Sequence, residues 1–496
     1  MARVAAGLAL LLVACQAMPS IATPAPSAVV AGGTLRVAIP AEVTVLDPWN
    51  ADSASQVATR QIFETLVTVD PATGAVAAGL ASSWQMANDG ASWTFALRGG
   101  ISFADGTPFD AATVVASFDR GRGTRAYRLL FDEPSAISRV VAVDGKTVRF
   151  ELRAPFGPFL VHLAAPQAGI ARGTSGTGPF TAAPDALAPD GSITLRRNEA
   201  YWLRTSGGRT LPYLDGLVLR PVRDAAARFA ELRAGRVDLA LELPVAQATA
   251  ARSDPNLALL TRPSAASATL GIDVAATPFD QPDARRAVAM AIDRGALSGP
   301  YYGLGHPASQ VIPSGTLGFD DSVVEFAPLD PSGARRLLSD AHIAVPINVD
   351  LAYPAFPTMA YPDPQRIAQS IAADLAKVGI IARLRAVDAA ALRDVRGALA
   401  LETTLVGLDP DDVFWPLFGT DDPRDASLIV GLLRKARMEA DPSKRAELYK
   451  QVSKLARAEV TRVPLLIVDR TIAASARVAG YVAETNASFG TVWLRP

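Results

Sequence analysis

Hydrophobic positions along the chain follow two periods, and glycines or aspartate-proline pairs mark the switches between them. Stretches that alternate every second residue predict strands: "GTLRVAIP", "ASWTFALRGG" around Trp93, Phe95 and Leu97, and "KTVRFEL" through Val148, Phe150 and Leu152. Spacings of three and four predict helices between them. In "DAATVVASFDRG", Asp110 caps the start, Val114, Val115 and Phe118 share a face, and Gly121 supplies the stop. "ARFAELRAGRVDLALEL" reads as a helix, a terminating Gly235 and a strand. Asp363-Pro364 opens a helix with Ile367, Ile371, Leu375 and Val378 on one side; Gly379 ends it, and "IIARLRAV" follows as a strand. "DARRAVAMAIDRG" predicts one capped helix from Asp283 to Gly295, and Asp441-Pro442 opens a last one with Leu448, Val452 and Leu455 before the strand "VPLLIVD". Helix, glycine, strand is the grammar of α/β layers. There is no short-period repeat of the kind that marks a solenoid or propeller. Candidate breaks between lobes lie at "RGTSGTGPF" and near "RPSAASATLGIDV".

One apolar run belongs to neither pattern. Val4 to Ala14 follows a basic Met1-Ala2-Arg3 and is about half the length needed to span a bilayer. A charged start, a short apolar core and small residues describe a secretory signal. Leu12-Val13-Ala14-Cys15 resembles the bacterial lipobox, in which the cysteine is acylated and becomes the mature N-terminus. Cys15 is the single cysteine of the chain, so it has no internal disulfide partner. Its predicted role is lipid attachment, and the Pro, Ala and Ser that run from Pro19 to Gly33 predict a loose tether. The expected location is outside the cytoplasmic membrane, anchored to it by lipid.

Composition narrows the function classes. About 480 residues remain after such a leader, enough for two to four domains. With 49% apolar and 20% charged residues, the body is that of an ordinary globular protein. A formal net charge of -1 argues against nucleic acid, which requires a basic surface. The usual catalytic patterns are missing. His162, His306 and His342 lie far apart and form no metal motif. "GTSGTG" at 173–178 lacks the lysine and hydroxyl of a phosphate loop, and Thr177 breaks the nucleophile-elbow pattern; a flexible crossover is the simpler reading. No catalytic residue, metal or cofactor is expected.

The ordered set of segments resembles the family 5 extracellular solute-binding proteins of ABC importers, the class that includes oligopeptide- and dipeptide-binding proteins. The segments are "GGTLRVAIP" with "LDP" at Leu46 to Pro48, "FETLVTVDPATG", "GLASSWQMANDGASWTFALRGGISFADGTPFDAATVVASFDR", "GTGPF", "LRRNEAYW", "ELRAGRVDLAL", "TPFDQPDARRAVAMAIDRGAL" and "DPSKRAELYKQV". The resemblance implies an α/β, two-lobed periplasmic-binding-protein-like fold of type II with an extra inserted domain and a hinge between the lobes. Its implied divisions are a signal at 1–14, a tether at 15–31, domain I at 32–48, 177–265 and 472–496, domain II at 49–176, and domain III at 266–471. Connecting segments near Ala268 to Val274 and Leu466 to Ile472 would form the hinge.

The function implied is non-covalent capture of a peptide or peptide-like solute between the lobes, for delivery to a permease and ATPase complex, by a chain acting as a monomer. Glu42, Val43 and Thr44 would supply one wall, by strand addition to an extended ligand. Gly407 and Asp409 would supply the other, with Asp409 meeting the ligand's α-ammonium and Trp415 forming a pocket wall. Asp411 or Asp412 could take the place of Asp409 after a small shift in alignment, and "GLDPDD" also reads as a plain turn. Alternatives are a receptor for a nickel chelate or other small solute, and a ligand-sensing lipoprotein partnered with a membrane kinase.

Overall fold

The computed structural model describes residues 29–70, 74–131, 137–205, 207–405, 407, 409–419, 427–483 and 488–496. Cys15, the leader and most of the tether lie outside the described residues, as do Val406 and Leu408. Two unusually long strands, Leu257–Ile272 and Arg462–Ser475, organise the rest. They pair antiparallel from Leu257↔Ser475 to Gly271↔Arg462, with register shifts between Arg262 and Ala266 and between Ala268 and Thr269. At one end, Ile472 to Ala474 also pair with Leu239–Leu241, which leads the sheet on to Thr34–Ile39, Gly216–Pro221, Ile193–Arg197 and Phe180–Leu187. At the other end, Ala266 to Ile272 pair with Ala398–Leu405, which leads to Ile347–Pro354 and Ile380–Val387. Each long strand thus serves both halves of one eleven-stranded sheet.

Three large cores make up the body, two of them packed on this sheet. Leu35, Ile39, Ala58, Ile62, Leu195, Leu217, Ile472 and Ala474 belong to one, and Leu270, Val288, Ile371, Leu399 and Val468 to a second. A third, between Trp49 and Ile170, is built on a four-stranded antiparallel sheet ordered Ala81–Met86, Ser92–Leu97, Thr147–Leu152, Ile137–Asp144. Aromatic rings fill it: Trp49 meets Phe118 edge-on at 5.3 Å, and Phe118 meets Phe150 at 4.9 Å, the geometry that ring quadrupoles favour. The indole N–H of Trp49 donates to the carbonyl of Ser117 at 2.9 Å, so burial leaves no unpaired donor there.

Local signals account for most element ends. The carboxylates of Asp110, Asp224, Asp363 and Asp441 each accept an N–H three residues on, at 2.7–3.1 Å. Gly235 and Gly379 end their helices at φ of 68° and 85°. Two ends differ from the sequence reading. Gly121 is the last residue inside the helix Ala111–Gly121, and what requires glycine there is Trp49, whose ring lies 2.5 Å from where a Cβ would stand. The helix predicted over Asp283 to Gly295 is two: Pro282–Ala291 stops at an extended Ile292, and Asp293 caps Arg294–Leu297 through the N–H of Ala296. A carboxylate that can cap a new helix competes with continuing the old one.

The Gly-rich crossover at 173–178 is a packing device. A Cβ on Gly176 would stand 1.9 Å from the carbonyl oxygen of Ile62, and the N–H of Gly178 donates to that same carbonyl at 2.8 Å. The loop caps the C-terminal end of the helix Ser53–Ile62 with its own backbone. Beside it, the buried carboxylate of Glu64 accepts from Thr177 Oγ1 at 2.8 Å, Trp202 Nε1 at 2.8 Å and Tyr201 Oη at 3.0 Å. Burial raises Glu64 to about 6, against those three donors.

Candidate functional site: the junction between the lobes

The body built around Trp49 reaches across and touches the half that carries the helices Asp411–Phe418 and Pro442–Glu459. The N–H of Gly157 donates to the carbonyl of Arg437 at 2.7 Å. A Cβ on Gly157 would lie 2.4 Å from both Arg445 Nε and the carbonyl oxygen of Glu439, so only glycine allows this approach. The Arg437 guanidinium sits over the Trp415 ring at 4.1 Å and faces Phe156 at 5.8 Å, a cation shared by aromatic groups from the two sides. His162 completes the contact. Its Nδ1 pairs with the carbonyl of Leu130 at 2.8 Å and its Nε2 with Asp412 Oδ1 at 3.1 Å. Burial would lower the imidazole's pKa, but the charge and hydrogen bond of Asp412, with the charge of Asp409 behind it, raise it to about 9. The histidine is therefore a cation at neutral pH.

The three neighbouring aspartates have distinct surroundings. Asp409 forms a two-pronged pair with Arg445, Nη1 to Oδ2 at 3.0 Å and Nη2 to Oδ1 at 2.7 Å, with side chains 4% and 5% exposed. The N–H of Asp411 and the hydroxyl of Tyr449 complete its shell, at 2.9 and 3.5 Å. This carboxylate is saturated by its own lobe, which leaves it poorly placed to receive a ligand's ammonium. Asp411 stands 3.1 Å from Arg437 Nε in an ion pair whose angles miss hydrogen-bond geometry, and burial pushes it up to about 6 against the pull of that arginine. Asp412 has the most accessible side chain, at 28%, although its two oxygens meet His162 and the N–H of Asp409.

In the segment expected to form the other wall, Glu42 is exposed and pairs with Arg223 at 2.9 Å. The side chain of Val43 is buried in the core beneath. Thr44 and Val45 both donate their N–H to Ser55 Oγ, at 3.0 and 3.3 Å, so those two donors are already used. Gly407 is partly buried, and a Cβ on it would stand 2.2 Å from Asp412 Oδ2. The structure thus brings Gly407, Asp409, Asp412 and Trp415 into one neighbourhood, whereas Glu42 is held by Arg223 beside the turn at Gly191.

Sequence reasoning missed a further group, three arginines where the long strands cross between lobes. Arg262 and Arg470 are direct register partners, so both project from the same face of the sheet. Arg60, in the last turn of Ser53–Ile62, carries an electrostatic interaction with each of them. No local motif marks this trio, because register and helix placement alone assemble it.

A family model described as bacterial extracellular solute-binding proteins, family 5 middle, matches residues 75–425. The Escherichia coli (strain K12) glutathione-binding protein GsiB is 28% identical over 519 residues, covering 97% of each chain. Its counterpart from Salmonella paratyphi A is also 28% identical, over 91% of this chain and 93% of that one. Among solved structures, HbpA2 from Haemophilus parasuis superposes with a TM-score of 0.83 at 24% identity, over 94% of this chain and all of that one. The binding protein DppA from Helicobacter pylori, in complex with the peptide STSA, gives 0.74 at 24% identity, over 94% and 99%. The fold is accordingly the two-lobed one of periplasmic binding proteins. Among the described residues, no helix is long and apolar enough to cross a membrane. The chain belongs to the family 5 bacterial extracellular solute-binding proteins, a family of transport receptors that work with ABC permease and ATPase components.

Proposed function

We propose that this chain is the lipid-anchored receptor of an ABC importer, and that it captures peptides or peptide-like solutes, glutathione among them, between its lobes. The observation that carries the reading is the pair of long strands shared by both halves, combined with a cross-lobe contact at Gly157 and His162. Strands that continue through both lobes can flex at their register shifts while each core stays intact, which is how hinge closure works. Relatives named as glutathione-binding and a neighbour holding a peptide support the ligand class. The three-domain division with breaks after residues 48, 176, 265 and 471 is part of this reading. Of the carboxylates at 409, 411 and 412, Asp412 is the best placed for a ligand ammonium, with Trp415, Gly407, Glu42 and the main chain of Val43 and Thr44 as walls.

Native mass spectrometry of freshly purified protein should show a bound guest in the mass range of short peptides. A guest of another chemical class would overturn the ligand assignment. The lipid anchor has its own test: Cys15→Ala should move the protein from the membrane fraction to the soluble extracytoplasmic fraction, and membrane retention of the variant would contradict acylation at that residue.

A further inference from the structure

The long strands cross between lobes at a point where positive charge is concentrated. Arg470 shares its strand face with Ile472 and Ala474, since side chains two apart point the same way. Those two residues pack in one core with Ala58 and Ile62 of the helix Ser53–Ile62, so this helix covers the same face, and Arg60 in its last turn lies within electrostatic reach of Arg470. Arg262, opposite Arg470 in register, adds a third guanidinium. The Nε atoms of Arg60 and Arg470 are both sealed from solvent, and neither has a hydrogen-bond partner among the described residues. Both side chains are otherwise partly exposed, so each retains a face toward solvent.

A buried guanidinium N–H without an acceptor is costly, and two beside each other are more so. Burial, together with the repulsion of Arg470 and Arg262, brings Arg60 down to about 10, and Tyr481 and Glu242 offset only part of this. Glu242 is itself shared, since its charge also acts on Arg228 and its carbonyl accepts from Arg228 Nη2. Arg60 Nη2 donates to Gln56 Oε1 at 3.2 Å, so what remains to be satisfied is its Nε and that of Arg470, and an anion with planar, two-pronged acceptors suits them. The cluster's position adds to the argument, because the register shift at Arg262 lies on the path of any movement between the lobes.

We infer that Arg60 and Arg470, with Arg262 beside them, form an anion subsite at the floor of the inter-lobe cleft that takes a carboxylate of an acidic solute. The inference rests on the solute-receptor reading above and assigns the place where the solute's carboxylate is held. The arginines grip through charge-assisted hydrogen bonds, and the guest's charge relieves their mutual repulsion. Ligand binding and closure are thereby coupled at the crossing of the strands.

Calorimetric titration of the mature chain provides the test, with three probes: glutathione, its diethyl ester, and glutarate as a carboxylate without a peptide. Glutathione should bind at least tenfold more tightly than the ester. Arg60→Gln and Arg470→Gln should each lose at least tenfold for glutathione, with Arg470→Lys in between. Thermal melting separates this from misfolding: without ligand, Arg470→Gln should melt at or above the parent, because it removes a repelled cation, yet it should lose the stabilisation that ligand gives the parent. Equal binding of acid and ester, or unchanged affinity in both glutamine variants, would overturn the subsite. If glutathione and its ester both fail to bind, the glutathione assignment falls and glutarate decides alone. Glutarate binding that is abolished by Arg470→Gln upholds the subsite, and absence of glutarate binding overturns it.

Discussion

At the scale of single residues, the junction shows how one short stretch of acids serves different ends. Asp409 and Arg445 are both buried, so each depends on the other for its charge to be tolerated. Removing one partner strands the other, at a cost of about 3–5 kcal/mol. Asp409→Asn should therefore lower the thermal midpoint strongly, through instability of the lobe; a variant that melts like the parent and only loses affinity would return Asp409 to a ligand-anchoring role. His162 gives a pH signature. Its folded pKa, about 9, lies above the ordinary value of 6.5, so its contribution is complete below about pH 6.5 and is lost as pH rises through 9. Asp411, raised to about 6, acts in a lower window and favours the fold only as pH falls toward its ordinary 3.8. Between pH 7 and 9.5 the parent should lose more thermal stability than His162→Gln. Parallel curves would show that His162 is not a cation in the folded state.

At the scale of elements, what was legible from sequence was local. The aspartate caps and glycine stops depend on backbone donors and φ angles within a few residues, and they recur in the structure at Asp110, Asp363, Asp441, Gly235 and Gly379. Gly121 looked like another stop because a helix ends there, but its requirement comes from the ring of Trp49, some seventy positions away in sequence. The same distance effect governs the site. Asp409 sits in a stretch whose charges read as available, and only the placement of the helix Pro442–Glu459 shows that Arg445 occupies it. Arg60 and Arg470 were invisible for the same reason, since strand register and helix packing are long-range facts. Family resemblance supplied the lobes, while the residues lining their junction required coordinates.

At the scale of the whole molecule, two strands tie the halves together, and a polar latch closes them at Gly157, His162, Asp412 and Arg437. The latch is small. A few hydrogen bonds and one ion pair are each worth on the order of 1–3 kcal/mol net, so an equilibrium between open and closed forms is within reach of a ligand's differential affinity. A guest that touches both walls stabilises only the closed form, and that form is what a permease can distinguish from the empty receptor. Small-angle X-ray scattering of the purified mature chain, first emptied of guest and then titrated with glutathione or a short acidic peptide, measures this directly. The account predicts that the radius of gyration falls as ligand saturates, in step with the bound fraction; tight binding that leaves the radius unchanged would contradict it.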